Sequence, residues 1–82
     1  MTVEEFNIKY KDYLEEGHYG LDINNQEVIK YLDNIFIDLI KIPGFKYTQI
    51  KIKFSSIRFY STIGYNLADT IEYMLETILK GI

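Results

Sequence analysis

The run Ile50-Lys51-Ile52-Lys53-Phe54-Ser55-Ser56-Ile57-Arg58-Phe59-Tyr60 decides the fold. Apolar and polar residues alternate on either side of Ser55-Ser56, the period of two expected of half-buried strands. The stretch therefore predicts a β-hairpin turning at Ser55-Ser56. Ser-Ser suits a two-residue primed turn poorly, because such turns favour Gly or Asn at positive φ, so a longer loop is the alternative. With the turn at Ser55-Ser56, residue 54 faces 57, 53 faces 58, 51 faces 60 and 49 faces 62. Ile50, Ile52, Phe54, Ile57 and Phe59 then make one apolar face. Gln49, Lys51, Lys53, Arg58, Tyr60 and Thr62 make the other.

Working outward, the period changes to that of helices. Asn24-Asn25-Gln26-Glu27 reads as a helix start, with Ile23 and Val28 as a hydrophobic staple. The stripe Val28, Ile29, Leu32, Ile35, Phe36, Leu39, Ile40 follows, so a central helix is predicted over 24–41, ended by Pro43-Gly44. Thr2-Val3-Glu4-Glu5 fits a capping box, and Val3, Phe6, Tyr10, Tyr13 and Leu14 extend a helix over 3–16, stopped by Gly17. After the hairpin, Asn66 caps a last helix with Asp69 at its third position. Its stripe is Leu67, Ile71, Met74, Leu75 and Ile78, and Gly81 is the left-handed C-terminal cap. The expected order is α-α-β-β-α in a single domain over 1–82. This is an α+β class, with a two-stranded antiparallel hairpin packed on helices. A two-stranded sheet needs a helix on one face, and helix 24–41 is the natural cover. Both strands are left with an open edge, which raises a homodimer paired through a strand edge.

Composition narrows the function classes. Eighty-two residues, 48% of them hydrophobic and 26% charged, suit one globular domain and not a disordered chain. Without cysteine there is no disulfide framework, no zinc finger and no thiol nucleophile, and one histidine cannot build a His-rich metal site. No apolar run approaches a membrane span, and Met1-Thr2-Val3-Glu4-Glu5 lacks the basic start of a signal peptide. The expectation is a cytoplasmic protein with no membrane partner, no cofactor and no metal. The net charge of −3 conceals a bipolar distribution. Residues 1–38 carry nine acids and three bases, residues 39–68 five bases and no acid, and residues 69–82 three acids and one base.

Catalysis finds no footing in this pattern. There is no Gly-x-Ser-x-Gly elbow, P-loop or dinucleotide fingerprint. His18, between Gly17 and Gly20, is the one candidate general base or ligand-contacting imidazole, and a loop residue filling a connection is the plainer reading. The pairs Glu4-Glu5 and Glu15-Glu16 are adjacent in sequence, so on a helix they diverge by about 100° and share no site. No enzyme is expected.

The sharper candidate is the polar hairpin face. Lys51 beside Tyr60 sets up a cation–π contact, and Lys53 across from Arg58 is a like-charge pair that an anion would relieve. Together with Gln49 these residues predict a partner-binding surface for an acidic protein patch or for the phosphates and bases of a single strand. Lysines on an exposed strand also serve as protection against edge pairing, the plainer reading. A second candidate surface is acidic. Glu5, Asp12, Glu15 and Glu16 accompany Tyr13, a residue type favoured as an interface anchor, along the predicted first helix. Here the plainer reading is the solvated exterior of an amphipathic helix.

The stretch Tyr47 to Tyr60, reading Y-T-Q-I-K-I-K-F-S-S-I-R-F-Y, resembles a segment of small phage and prophage proteins of the form Q-[IV]-K-x-K-F-G-x-[LA]-R-F-Y. In those proteins it follows a helix and a P-x-F-like connection, the place held here by Ile42-Pro43-Gly44-Phe45. Ser55 stands where glycine is usual. Fourteen isoleucines, with eight lysines against one arginine, point the same way, to an AT-rich coding sequence. The resemblance implies a phage or mobile-element origin, carries no known activity and transfers no functional residue. Small phage proteins without catalytic motifs often bind a host factor. The expectation by class is therefore a protein that binds a host protein and inhibits a defence or nucleic-acid-processing system, in the manner of anti-CRISPR proteins. The alternative is a small nucleic-acid or nucleotide-binding domain using the same hairpin face.

Overall fold

A computed structural model describes residues 1–81. Its elements are α1 (Val3–Lys9), a 3₁₀ turn (Lys11–Tyr13), β1 (Gly20–Leu21), α2 (Gln26–Leu39), β2 (Tyr47–Lys53), β3 (Ser56–Ser61) and α3 (Tyr65–Lys80). The class is α+β, as the sequence predicts, but the sheet has three strands in the order β1-β2-β3. β1 runs parallel to β2, with Gly20 opposite Gln49 and Leu21 opposite Ile50. Two residues carry no period, so no sequence pattern announces this strand.

The first helix ends at Lys9, well short of the predicted residue 16. Thr2 and Glu5 form the expected capping box. After Tyr10 the chain leaves the helix because its next residues are claimed by the sheet. Leu14 bridges to Tyr47, and the Glu15 N–H donates to the Tyr47 carbonyl at 2.8 Å. A helix continuing to residue 16 would spend that N–H on its own preceding turn. α2 runs from Gln26 to Leu39, two residues shorter at each end than the predicted 24–41, with Asn25 as the cap accepting the Val28 N–H at 3.0 Å. α3 starts at Tyr65 behind Gly64, so the predicted Asn66 cap is not used, whereas Gly81 closes the helix at a φ of 74° as expected.

The hairpin turn lies one residue earlier than predicted, which shifts every cross-strand partner by two residues. Phe54 and Ser55, with φ of 51° and 62°, form the two-residue turn, and Lys53 faces Ser56, Ile52 faces Ile57, Lys51 faces Arg58, Ile50 faces Phe59 and Gln49 faces Tyr60. Moving the turn by one position changes every cross-strand partner yet leaves every side chain from 49 to 53 and from 56 to 60 on its expected face. Phe54 is the exception. It leaves the apolar face altogether and stands at the tip, 85% exposed. At the other end of β2 a bulge between Tyr47 and Gln49 turns Tyr47 inward while Gln49 stays outside.

The core lies beneath the sheet. Phe36 of α2 meets Phe6, Tyr10, Phe45, Tyr47 and Phe59 edge-on or tilted, and Leu32, Leu39, Ile50, Ile57, Ile71 and Leu75 complete it. α1 is tied to α2 at its rim. The Asp33 carboxylate accepts from Lys9 at 2.8 Å and from the Tyr10 hydroxyl at 2.6 Å, and these bonds hold its pKa below the usual aspartate value.

The edges of the sheet are covered in part, so the stretch left for a strand-edge homodimer is shorter than the sequence suggests. β1 covers β2 at Gln49 and Ile50. Beyond β1, the Asn7 amide takes the place of a further strand: its oxygen accepts the Leu21 N–H at 2.9 Å and its nitrogen donates to the Leu21 carbonyl at 3.0 Å. On the far side the Glu72 carboxylate accepts the Phe59 N–H at 2.7 Å and Glu76 accepts the Ile57 N–H at 3.1 Å. Gly20 is required by the first of these arrangements. Its φ is 76°, and a Cβ there would lie 2.4 Å from the Asn7 Oδ1.

Candidate functional site

Outward-facing side chains of β2 and β3 meet on one flat surface. Gln49, Lys51 and Lys53 stand on β2, and Ser56, Arg58 and Tyr60 on β3, all exposed or half-exposed. The structure thus brings five of the six residues predicted for the hairpin face together. The sixth, Thr62, lies beyond the end of β3, where its hydroxyl donates to the Gly44 carbonyl at 3.3 Å. The pairing within the face is rearranged. Arg58 lies directly across from Lys51, not Lys53, and Tyr60 across from Gln49, not Lys51. The predicted Lys51–Tyr60 stacking is therefore replaced by a diagonal relation, and the Lys53 ammonium instead lies 5.6 Å from the Phe54 ring centroid.

The electrostatics of this face are simple. Among the described residues the salt bridges are Lys9–Asp33 and Lys41–Asp38, so Lys51, Lys53 and Arg58 have no carboxylate within bonding distance. Two cations across a strand pair repel, and on this solvent-facing surface water and dissolved salt screen them. Such a face attracts anions. It holds no nucleophile with an activating base.

The acidic candidates are not gathered. Because α1 ends at Lys9, Glu5, Asp12, Glu15, Glu16 and Tyr13 do not share a helix face. Glu5 is occupied at the cap, accepting the Thr2 N–H at 2.8 Å, and this bond lowers its pKa. Asp12 sits in the 3₁₀ turn, where its carbonyl accepts from Lys46 at 2.7 Å. Glu15 and Glu16 are exposed in the following loop, and Tyr13 is half-buried against the core.

His18 is exposed in the loop before β1, where its backbone N–H donates to the Glu15 carbonyl at 3.2 Å. It lines neither the groove of about 470 Å³ beside Gln49 nor the one of about 430 Å³ between α2 and α3. Among the described residues no three His, Cys, Asp or Glu side chains are grouped to hold a metal ion, and no helix is long and apolar enough to cross a membrane.

Sequence reasoning missed Phe54 as an exposed tip and Asn7, Glu72 and Glu76 as edge covers. Asn7 and Phe54 carry no sequence signal. The glutamates do carry one, an acidic i,i+4 pair beside the buried Ile71 and Leu75. No family model, curated protein or solved structure matches the chain.

Proposed function

We propose that the chain is a small non-catalytic interaction protein that docks an acidic surface of a partner protein on its outer sheet face. One observation carries the reading: Lys51 and Arg58 stand directly opposed, with Lys53 beside them and no carboxylate to neutralise them. A like-charge pair costs stability in the free protein and repays it when an anionic partner arrives. Tyr60, 42% exposed, supplies the amphipathic ring typical of interface anchors. That the partner is a host protein of a defence or nucleic-acid-processing system is proposed on the resemblance of residues 47–60 to phage proteins.

Affinity capture from a low-GC bacterial lysate tests the reading, with wild type and a Lys51→Glu/Arg58→Glu variant immobilised side by side. A protein retained by the wild type and lost from the variant is the expected result. The same protein captured equally by both overturns it. Tyr60 beside the cations favours a second reading, single-stranded nucleic acid, since a base stacks on the ring while the cations hold phosphates. Fluorescence anisotropy with a random oligonucleotide distinguishes the two. Binding at low salt that weakens as salt rises, and weakens further in Arg58→Ala, belongs to the nucleic-acid reading.

A further inference from the structure

We propose that the protein self-associates head to tail, the Phe54 ring of one copy seating in the groove between α2 and α3 of the next. Two independent features of the molecule are complementary. The first is the hairpin tip. Phe54 is 85% exposed, neighbouring Ile52 is 49% exposed, and the tip backbone is left-handed, with φ of 51° at Phe54. Bulky residues rarely adopt that conformation, and a two-residue turn of this kind favours Asn or Gly. Strain of this sort concentrates at ligand clamps and binding sites, and here it holds an aromatic ring out in water.

The second feature is the groove, about 430 Å³, floored by Ile35, Leu39, Ile42, Leu67 and Ile71. Ile42 and Leu67 are 40% and 43% exposed, so its apolar walls are uncovered in the single chain. Charge orients the fit. Lys53 travels with the Phe54 ring at 5.6 Å, and the groove carries the Asp38 carboxylate, which is largely solvated and forms a long, exposed pair with Lys41 at 3.7 Å. A second copy is the occupant because this chain itself supplies both the cation-flanked ring and the acid-bearing apolar groove. Ring and groove are different surfaces, so each copy gives with one and receives with the other. The contact draws on Lys53, which the docking face shares, but rests on the Phe54 ring and the α2–α3 groove, so it goes beyond the docking reading and does not depend on it.

Two variants test this by size-exclusion chromatography with light scattering. Phe54→Asn removes the ring and keeps the turn, since Asn adopts left-handed backbone readily. Ile42→Lys blocks the groove at a half-exposed position just beyond the α2 C-terminus, where a cation suits the helix dipole. The wild-type mass is expected to rise above the 9.7 kDa of one chain with concentration, while each variant, with unchanged circular dichroism, stays at one chain. An equimolar mixture of the two is expected to form a two-chain species and nothing larger, because one variant retains the groove and the other the ring. A wild-type mass constant to millimolar concentration overturns the proposal. So does undiminished association in Phe54→Asn, or a mixture of the two folded variants that stays at one chain.

Discussion

Phe36 and Tyr47 are the two side chains on which the interior turns. Phe36 is fully buried, and its ring centroid lies 4.9 Å from those of Phe6 and Tyr10 and 5.1 Å from that of Tyr47. Truncation to Ala removes a large ring from a site whose neighbours, anchored on both layers, cannot collapse into the space. Phe36→Ala is expected to cost about 3–5 kcal/mol. Urea denaturation checks it, and a midpoint near that of the wild type would show that the core is centred elsewhere. Tyr47 adds a pH dependence. Burial, reinforced by Tyr10, pushes its phenol up to about 12, and its hydroxyl donates to the Asn7 Oδ1 at 3.1 Å. The folded pKa lies above the unfolded one, so this contribution is complete below about pH 10 and is lost as pH rises toward about 12. Stability is expected to fall over that window by at most about 1.4 kcal/mol per pH unit from this group. Burial also raises Tyr10 and Tyr31, so Tyr47→Phe is expected to flatten the alkaline decline without abolishing it. A decline of unchanged slope in Tyr47→Phe would remove Tyr47 as its source.

At the scale of elements, α3 is placed as much by its two glutamates as by its apolar stripe. Four residues of helix rise about 6 Å and two residues of strand about 6.8 Å, so carboxylates at 72 and 76 match N–H groups at 59 and 57. Charge-assisted hydrogen bonds of this kind contribute about 1.5–3 kcal/mol each. Glu72→Ala/Glu76→Ala is therefore expected to destabilise the fold and to speed amide hydrogen exchange at Ile57 and Phe59 more than at Arg58, whose N–H lies on the β2 side. Equal acceleration at all three amides would mean that the glutamates do not hold this edge. The same elements show what the sequence carries. α2, α3 and the hairpin were legible because each has a long period with punctuation at its ends. The end of α1 was not, because Leu14 and Glu15 answer to a strand far along the chain and no local pattern records that. The turn at Phe54-Ser55 was misplaced because neither residue is a usual one at positive φ. The outer face survived that error, since a turn moved by one residue exchanges partners but not faces.

For the whole molecule, the acid-free stretch of the sequence places three of the nine cations, Lys51, Lys53 and Arg58, together on the outer side of the sheet, while Glu72 and Glu76 of α3 lie at the β3 edge. Self-repulsion within the cationic face is a stability cost that the fold could shed with one substitution. Lys51→Glu places opposite charges across the strand pair where like charges now stand, directly opposed in register with Arg58. Cross-strand pairs of this kind change stability by roughly 0.2–1 kcal/mol, so the variant is expected to be more stable by about that amount. Its urea midpoint should rise with an unchanged m-value, since the surface exposed on unfolding is the same. Partner binding should move in the opposite sense, because the substitution replaces a cation with an anion and gives Arg58 a carboxylate of its own. The two readouts together separate the explanations of this face. If lysines served only to keep strands apart, Lys51→Glu would gain stability and lose nothing in binding. If the face docks an anion, stability and affinity must be exchanged for one another in a single variant.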